Sequence, residues 1–182
     1  MTNDQLPITD YPSQRYQIIP RVLCFVTEGE DVLLIQGAPD KKLWAGKYNG
    51  LGGHVERGES PHAAARREIQ EEAGLAVTDL RLAGVVAIDV EGAPGIGLYV
   101  FSARAADRQM TASAEGALAW VPLGQVAALD TVEDLPRLVT LVVGRPAETP
   151  PFGAHYAYDA GGQLRMEVFS DEMGTDLPYG NS

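Results

Sequence analysis

Apolar positions recur along this chain in short runs of alternating or nearly continuous character, broken at regular intervals by glycine, proline and acidic turn residues. The runs about Tyr16–Thr27 and Asp31–Gly37 read as two strands joined by the turn Glu28-Gly29-Glu30. Ala38–Ala45, with Pro39, Asp40 and Lys41-Lys42, reads as a loop, and Lys47–Leu51 as a short extended segment. Strands are expected near Leu80–Val90 and Ile96–Ala103, separated by the turn Glu91–Gly95, and again at Leu118–Val121 around Trp120. Leu123–Leu129 is a short helix candidate. Glu133–Val143 carries a second helical pattern, stopped by Gly144 and Pro146. Ala154–Tyr158 and Leu164–Phe169 flank the turn residues Asp159-Ala160-Gly161-Gly162 and should close the chain as a hairpin.

One segment departs from the strand period. Ser60-Pro61 has the form of a helix start, serine at the N-cap and proline in the first turn. Gly74 has the form of a helix stop. Between them Ala65, Ile69 and Ala73 fall four apart as an apolar stripe. Glu68, Glu71 and Glu72 fall at i, i+3 and i+4 and so share a neighbouring face. Strands, a helix, more strands and another helix imply a mixed α/β (α+β) architecture, a sheet covered by helices. Residues 15–169 are expected to form one domain, with a flexible arm over 1–14 and a flexible tail over 170–182.

Three carboxylates on one helical face repel one another, and a divalent cation would turn that repulsion into coordination. Hard oxygen ligands suit Mg2+, with Mn2+ as a substitute. A bare E-x-x-E-E is more often a solvated acidic face. Here it lies inside a longer pattern, GHVERGESPHAAARREIQEEAGL over 53–75. That run places Gly53, Glu59, Arg67-Glu68-Ile69, Glu71-Glu72 and Gly74-Leu75 at the spacing G-x5-E-x7-R-E-U-x-E-E-x-G-U, with U aliphatic.

This segment resembles the signature of the Nudix (MutT-type) hydrolases, which cleave a nucleoside diphosphate linked to another moiety. The resemblance implies an α/β/α sandwich with the signature as a loop–helix–loop beside the sheet. It implies metal ligation by Glu68, Glu71, Glu72 and the Gly52 carbonyl, and an orienting role for Arg67. Glu59 and Gly53 would support that set from behind. Glu68 is one candidate for the general base. Glu115, in the loop five residues before Trp120, sits where many relatives carry a further catalytic or metal-binding acid, and is also read as a surface loop charge.

The stretch LWAGKYNGLGGHVE is similar to the corresponding stretch of oxidised-purine nucleoside triphosphate diphosphatases. Asn49 would there read a base edge through its amide, or stabilise the glycine turn. Trp44 and Tyr48 are candidates for base stacking or for packing. Glu133-Asp134 loosely resembles an acidic pair used for base recognition in such enzymes. His54 and His62 flank the signature without partners at metal spacing and are expected in solvent.

Composition narrows the partners. The net charge of −11 shows no basic stripe of the kind a nucleic-acid-binding protein presents. A nucleotide-type small molecule, metal-loaded, is the expected partner. No apolar run is long enough for a transmembrane helix, and the N-terminus lacks a signal-peptide layout. A cytoplasmic monomer or homodimer is expected. The single cysteine, Cys24, reads as a small core residue.

The leading expectation is a pyrophosphohydrolase converting a nucleoside triphosphate, oxidised purines included, to monophosphate and pyrophosphate. The alternatives are hydrolysis of ADP-ribose, another nucleotide sugar or a dinucleoside polyphosphate, and, from another class, a non-catalytic nucleotide-sensing domain.

Overall fold

A computed structural model describes residues 16–39, 44–111 and 115–169. The expected N-terminal arm, C-terminal tail and Asp40–Lys42 loop positions lie outside the described residues.

Among the described residues the chain runs β1 (Ile18–Glu28), β2 (Asp31–Gly37), β3 (Tyr48–Asn49), α1 (Pro61–Ala73), β4 (Val77–Ile88), β5 (Gly95–Ala105), β6 (Gly116–Pro122), a 3-10 turn (Leu123–Ala128), α2 (Leu135–Val142), β7 (Phe152–Tyr158) and β8 (Leu164–Phe169). The strands form one mixed sheet in the order β3-β2-β1-β5-β4-β7-β8, with β6 on β2. β1 lies parallel to β5 and β4 parallel to β7, while the other neighbours are antiparallel.

β1 shows why the sheet is covered on both sides. Successive side chains point to opposite faces. Val22, Cys24 and Val26 join one buried cluster, with Ala64, Ala65, Ile69 and Ala73 of α1. Leu23 and Phe25 join the other, with Leu135, Leu138, Val139 and Val142 of α2. A strand buried on both faces reads as a continuous apolar run, as VLCFV does. The result is an α/β/α sandwich, with α1 on one face and α2 on the other. No helix among the described residues is long and apolar enough to cross a membrane.

Three departures from the sequence expectation carry physical reasons. β4 begins at Val77, three residues early, because its pairing with β5 starts at Val77–Ala105. Register shifts between Thr78 and Arg81 and between Leu82 and Gly84, and Asp79 at φ 51°, break the alternation there. The segment after β6 is a 3-10 turn of six residues, not an α-helix. α2 begins at Leu135, with Pro136 in its first turn, so Glu133 and Asp134 precede the helix.

Ile69 is fully buried between α1 and the sheet. Ile69→Ala should lower stability by about 2–5 kcal/mol, read as a fall in the urea midpoint at unchanged slope. A loss below about 1 kcal/mol would show that this stripe does not anchor the helix.

Candidate active site

The signature helix is built as its sequence implies. Ser60 Oγ accepts a hydrogen bond from the Ala63 N–H at 3.2 Å, and Pro61 opens the first turn. Gly74 closes the helix in the left-handed region (φ 69°), its N–H bonded to the Gln70 carbonyl. The buried stripe fixes the helix azimuth, so the glutamates emerge along one border of the helix.

Arg67 organises that border. Its guanidinium donates to Glu59 at 2.7 and 3.2 Å, to Glu68 at 2.9 Å, to Glu71 at 3.0 Å and to the His54 carbonyl at 3.0 Å. These charge-assisted bonds draw the loop before the helix and two helical acids onto one cation. Glu59 also accepts the Glu56 N–H, and its pKa is held low, mainly by Arg67.

Glu72 turns the other way. It is buried, and its carboxylate accepts the Gly52 N–H at 2.8 Å. Gly52 has φ 151°, and a Cβ there would come 2.1 Å from the Val22 carbonyl oxygen, so the position excludes any other residue. A Cβ on Gly53 would lie 2.2 Å from a carboxylate oxygen of Glu68. The two glycines therefore let the strand segment press directly against the acids. The Leu51 and Gly53 carbonyls both bond β1. The Gly52 carbonyl between them takes no hydrogen bond among the described residues.

Burial raises the pKa of Glu68, Arg67 opposes that rise, and the charges of Glu71 and Glu115 add to it. The exposed Glu115 at the start of β6 thus faces the same acidic group. The donor set, carboxylates plus one available carbonyl, is hard oxygen and fits a divalent cation in chemistry. It is not closed around one: among the described residues no three acidic, histidine or cysteine side chains converge closely enough to hold an ion as they stand. Arg67 sits on Glu68 and Glu71 instead, so a cation would have to draw those two carboxylates partly off the guanidinium. Cys24 is buried, and that burial, with Glu72 and Glu68 nearby, pushes its thiol pKa well up, which suits a core residue and not a nucleophile.

A cleft of about 1470 Å³ opens on the α2 side of the sheet. Leu23, Ile96, Leu98 and Tyr156 belong to its floor and walls, and Trp44, Lys47, Asn49 and Gly50 form one flank. Glu133 and Asp134 line it beside that flank, following the Asp130–Val132 segment that bonds Tyr48, and Tyr158 and Asp159 come from the closing hairpin. Glu68, Glu71 and Glu72 do not line the cleft. Gly52 is the link, since it lines the cleft and its N–H holds Glu72.

Trp44 and Asn49 both line this cleft. Trp44 is half exposed, and Asn49 Oδ1 accepts the Gly50 N–H at 2.8 Å, so the residue also stabilises its turn. Tyr48 corrects the stacking expectation: it does not line the cleft and packs against the α2-side core. His54 and His62 are exposed, as expected.

The sequence reading missed Tyr156 and Arg21. Tyr156 is buried in the cleft wall, and its hydroxyl has no hydrogen-bond partner among the described residues. Asp134 lies close enough to raise the Tyr156 pKa further, beyond the effect of burial. Burial also raises the pKa of Asp134 itself, with the Glu133 charge adding to the shift. Nothing in FGAHYAY marks its first tyrosine as polar lining. Arg21 was legible in principle, as a lone charge at the head of an apolar strand.

The NUDIX domain family model matches residues 18–142. The mouse oxidized purine nucleoside triphosphate hydrolase is 34% identical over 113 residues, 62% of this chain and 71% of that protein. The NAD-capped RNA hydrolase NudC of Pseudomonas aeruginosa is 35% identical over 80 residues, 44% of this chain but only 26% of its own length. In structure, the MutT protein of Bacillus halodurans superposes with a TM-score of 0.68 at 22% identity, covering 86% of this chain and 100% of that one, a likeness of fold. Nudix hydrolases generally require divalent cations. The capped helix, its Arg67-held acids and the matched span together make this chain a member of the Nudix hydrolase family.

Proposed function

We propose that the protein hydrolyses a purine nucleoside triphosphate, oxidised purines included, to the monophosphate and pyrophosphate, with Mg2+ as the resident cation. The observation that carries this reading is Gly52, which joins a cleft with a polar far corner to the acids of the signature helix. In that corner stand an amide (Asn49), a carboxyl whose raised pKa favours its protonated form (Asp134) and an unpartnered tyrosine hydroxyl (Tyr156). Together they offer both donors and acceptors, as a purine edge requires. The similarity to a relative named as an oxidized purine nucleoside triphosphate hydrolase supports the same reading.

Glu68, Glu71, Glu72 and the Gly52 carbonyl would hold the cation. When bound, such an ion offsets phosphate charge and lowers the pKa of coordinated water. The chain's own residues do the positioning. Arg67 keeps Glu68 and Glu71 from repelling each other and ties them to the loop through Glu59. Glu68, shielded from solvent with its pKa raised, is placed to accept a proton from the attacking water, with Glu115 the second acid of that corner. The substrate would lie with its base in the cleft and its phosphates passing Gly50–Gly53 toward α1.

The length of the cleft favours a second reading. At about 1470 Å³ it exceeds the roughly 300–1,000 Å³ of a typical small-molecule site. It continues past the base corner to Tyr16, Asp89 and Glu91. A nucleotide carrying a second sugar or nucleoside would use that extension.

A substrate panel with Mg2+ or Mn2+, assayed separately for pyrophosphate and phosphate, tests the first reading against the second. Pyrophosphate release from a purine triphosphate is the expected result, and two mononucleotide-like products from a dinucleotide or nucleotide sugar would replace it. Glu71→Gln and Glu72→Gln should each lower kcat by about 10²-fold or more with the fold retained by circular dichroism. Near-wild-type turnover in either would remove the metal-holding role. Asn49→Ala should change the ranking of bases more than the rate on the best substrate, and a uniform loss across bases would argue against base reading.

Because burial disfavours the charged form of Asp134, its penalty is absent below the ordinary carboxylate range, grows as pH rises from there toward the raised value and is full above it. Asp134→Asn should therefore raise the thermal midpoint at about pH 8 and leave it unchanged at about pH 3. An equal shift at both pH values would mean the effect is not electrostatic.

A further inference from the structure

Among the described residues two cations line the cleft, Arg21 and Lys47. Lys47 is engaged, its ammonium bonded to Asp130 at 3.2 Å and to the Thr131 carbonyl at 3.4 Å. Arg21 is half-buried, and its guanidinium has neither a hydrogen bond nor an ion pair among the described residues. The acids that line the same cleft are mostly occupied. Asp89 takes Tyr16 and His155, Asp159 takes Arg165, and Glu133 takes the Tyr158 hydroxyl. An arginine left unpaired in a partly desolvated wall is costly unless something else supplies an anion.

Its position is fixed by the strand. Alternation along β1 puts Arg21 on the face of Leu23 and Phe25, the cleft side. In the sheet it pairs with Leu98 on one flank and bridges to His54 of the signature loop on the other. Its neighbour Val22 donates its N–H to the Gly53 carbonyl. Arg21 thus stands where the cleft meets the glycine segment that leads to the acids, between the base corner and the reacting end. Five donors in a planar fork match two phosphate oxygens at once.

We infer that Arg21 binds the phosphate next to the ribose of the substrate, the phosphoryl group that stays on the nucleoside monophosphate product. The inference rests on the nucleotide reading of this site and names the residue that separates a nucleotide from a nucleoside there. Arg21 acts here as a binding residue that draws the nucleotide to the signature loop, independently of the cation held by the glutamates.

Calorimetric titration without divalent metal tests it, with the best-bound nucleoside monophosphate of a panel and its parent nucleoside as probes. The wild type should prefer the monophosphate. Arg21→Ala should weaken the monophosphate by about ten- to a hundredfold and the nucleoside by less than about twofold. Arg21→Lys should fall between them, since it keeps charge and loses the fork. Equal losses for both probes, no loss in Arg21→Ala, or a wild type indifferent to the phosphate would each overturn the inference while leaving hydrolysis of nucleotides standing. A wild type that binds neither probe and hydrolyses no nucleotide of the panel would overturn the nucleotide reading as well. Arg21→Gln, closer in volume, replaces Arg21→Ala should the alanine variant unfold.

Discussion

The hydrogen bond from the Gly52 N–H to the buried carboxylate of Glu72 is the contact on which the site depends. It joins the last turn of α1 to the segment that runs antiparallel beside β1. A buried carboxylate without such a donor would be expensive. The bond therefore stabilises one relative placement of helix and strand segment, and it requires glycine on the strand side. Once that placement is set, Gly53 brings Glu68 against the backbone, and Arg67 can reach Glu59, Glu68, Glu71 and the His54 carbonyl together. The acids come close without mutual expulsion because one guanidinium spans them.

Much of this was readable from residues alone. Ser60, Pro61 and Gly74 delimit α1, because caps act through local backbone chemistry. β2 and β8 fall at their expected ends, β2 as a continuous apolar run and β8 as a clean alternation, each bounded by turn residues. β4 was less legible, because its register shifts and Asp79 interrupt the period at the start. The N-terminus of α2 was misplaced for a different reason. Glu133 and Asp134 resemble a helix opening, yet Pro136 sets the first turn after them and leaves both beside the cleft.

The site divides the same way. Arg67 and the glutamates follow from spacing on a single helix. Tyr48 and Asn49 are neighbours in sequence, yet only Asn49 lines the cleft while Tyr48 packs against the core, a difference set where β3 meets β2 and Thr131. Tyr156 gains its position only when β7 lies parallel against β4, a pairing far apart in the chain. Long-range pairing of that kind leaves no local trace.

The far wall of the cleft, Tyr156 to Leu164, is contributed by the closing hairpin, which lies beyond the residues 18–142 that carry the family match. This part of the cleft wall and the signature helix thus lie on different stretches of the chain. Substitutions in β7 and β8 can reshape that wall without touching the signature helix, its capping serine or its arginine.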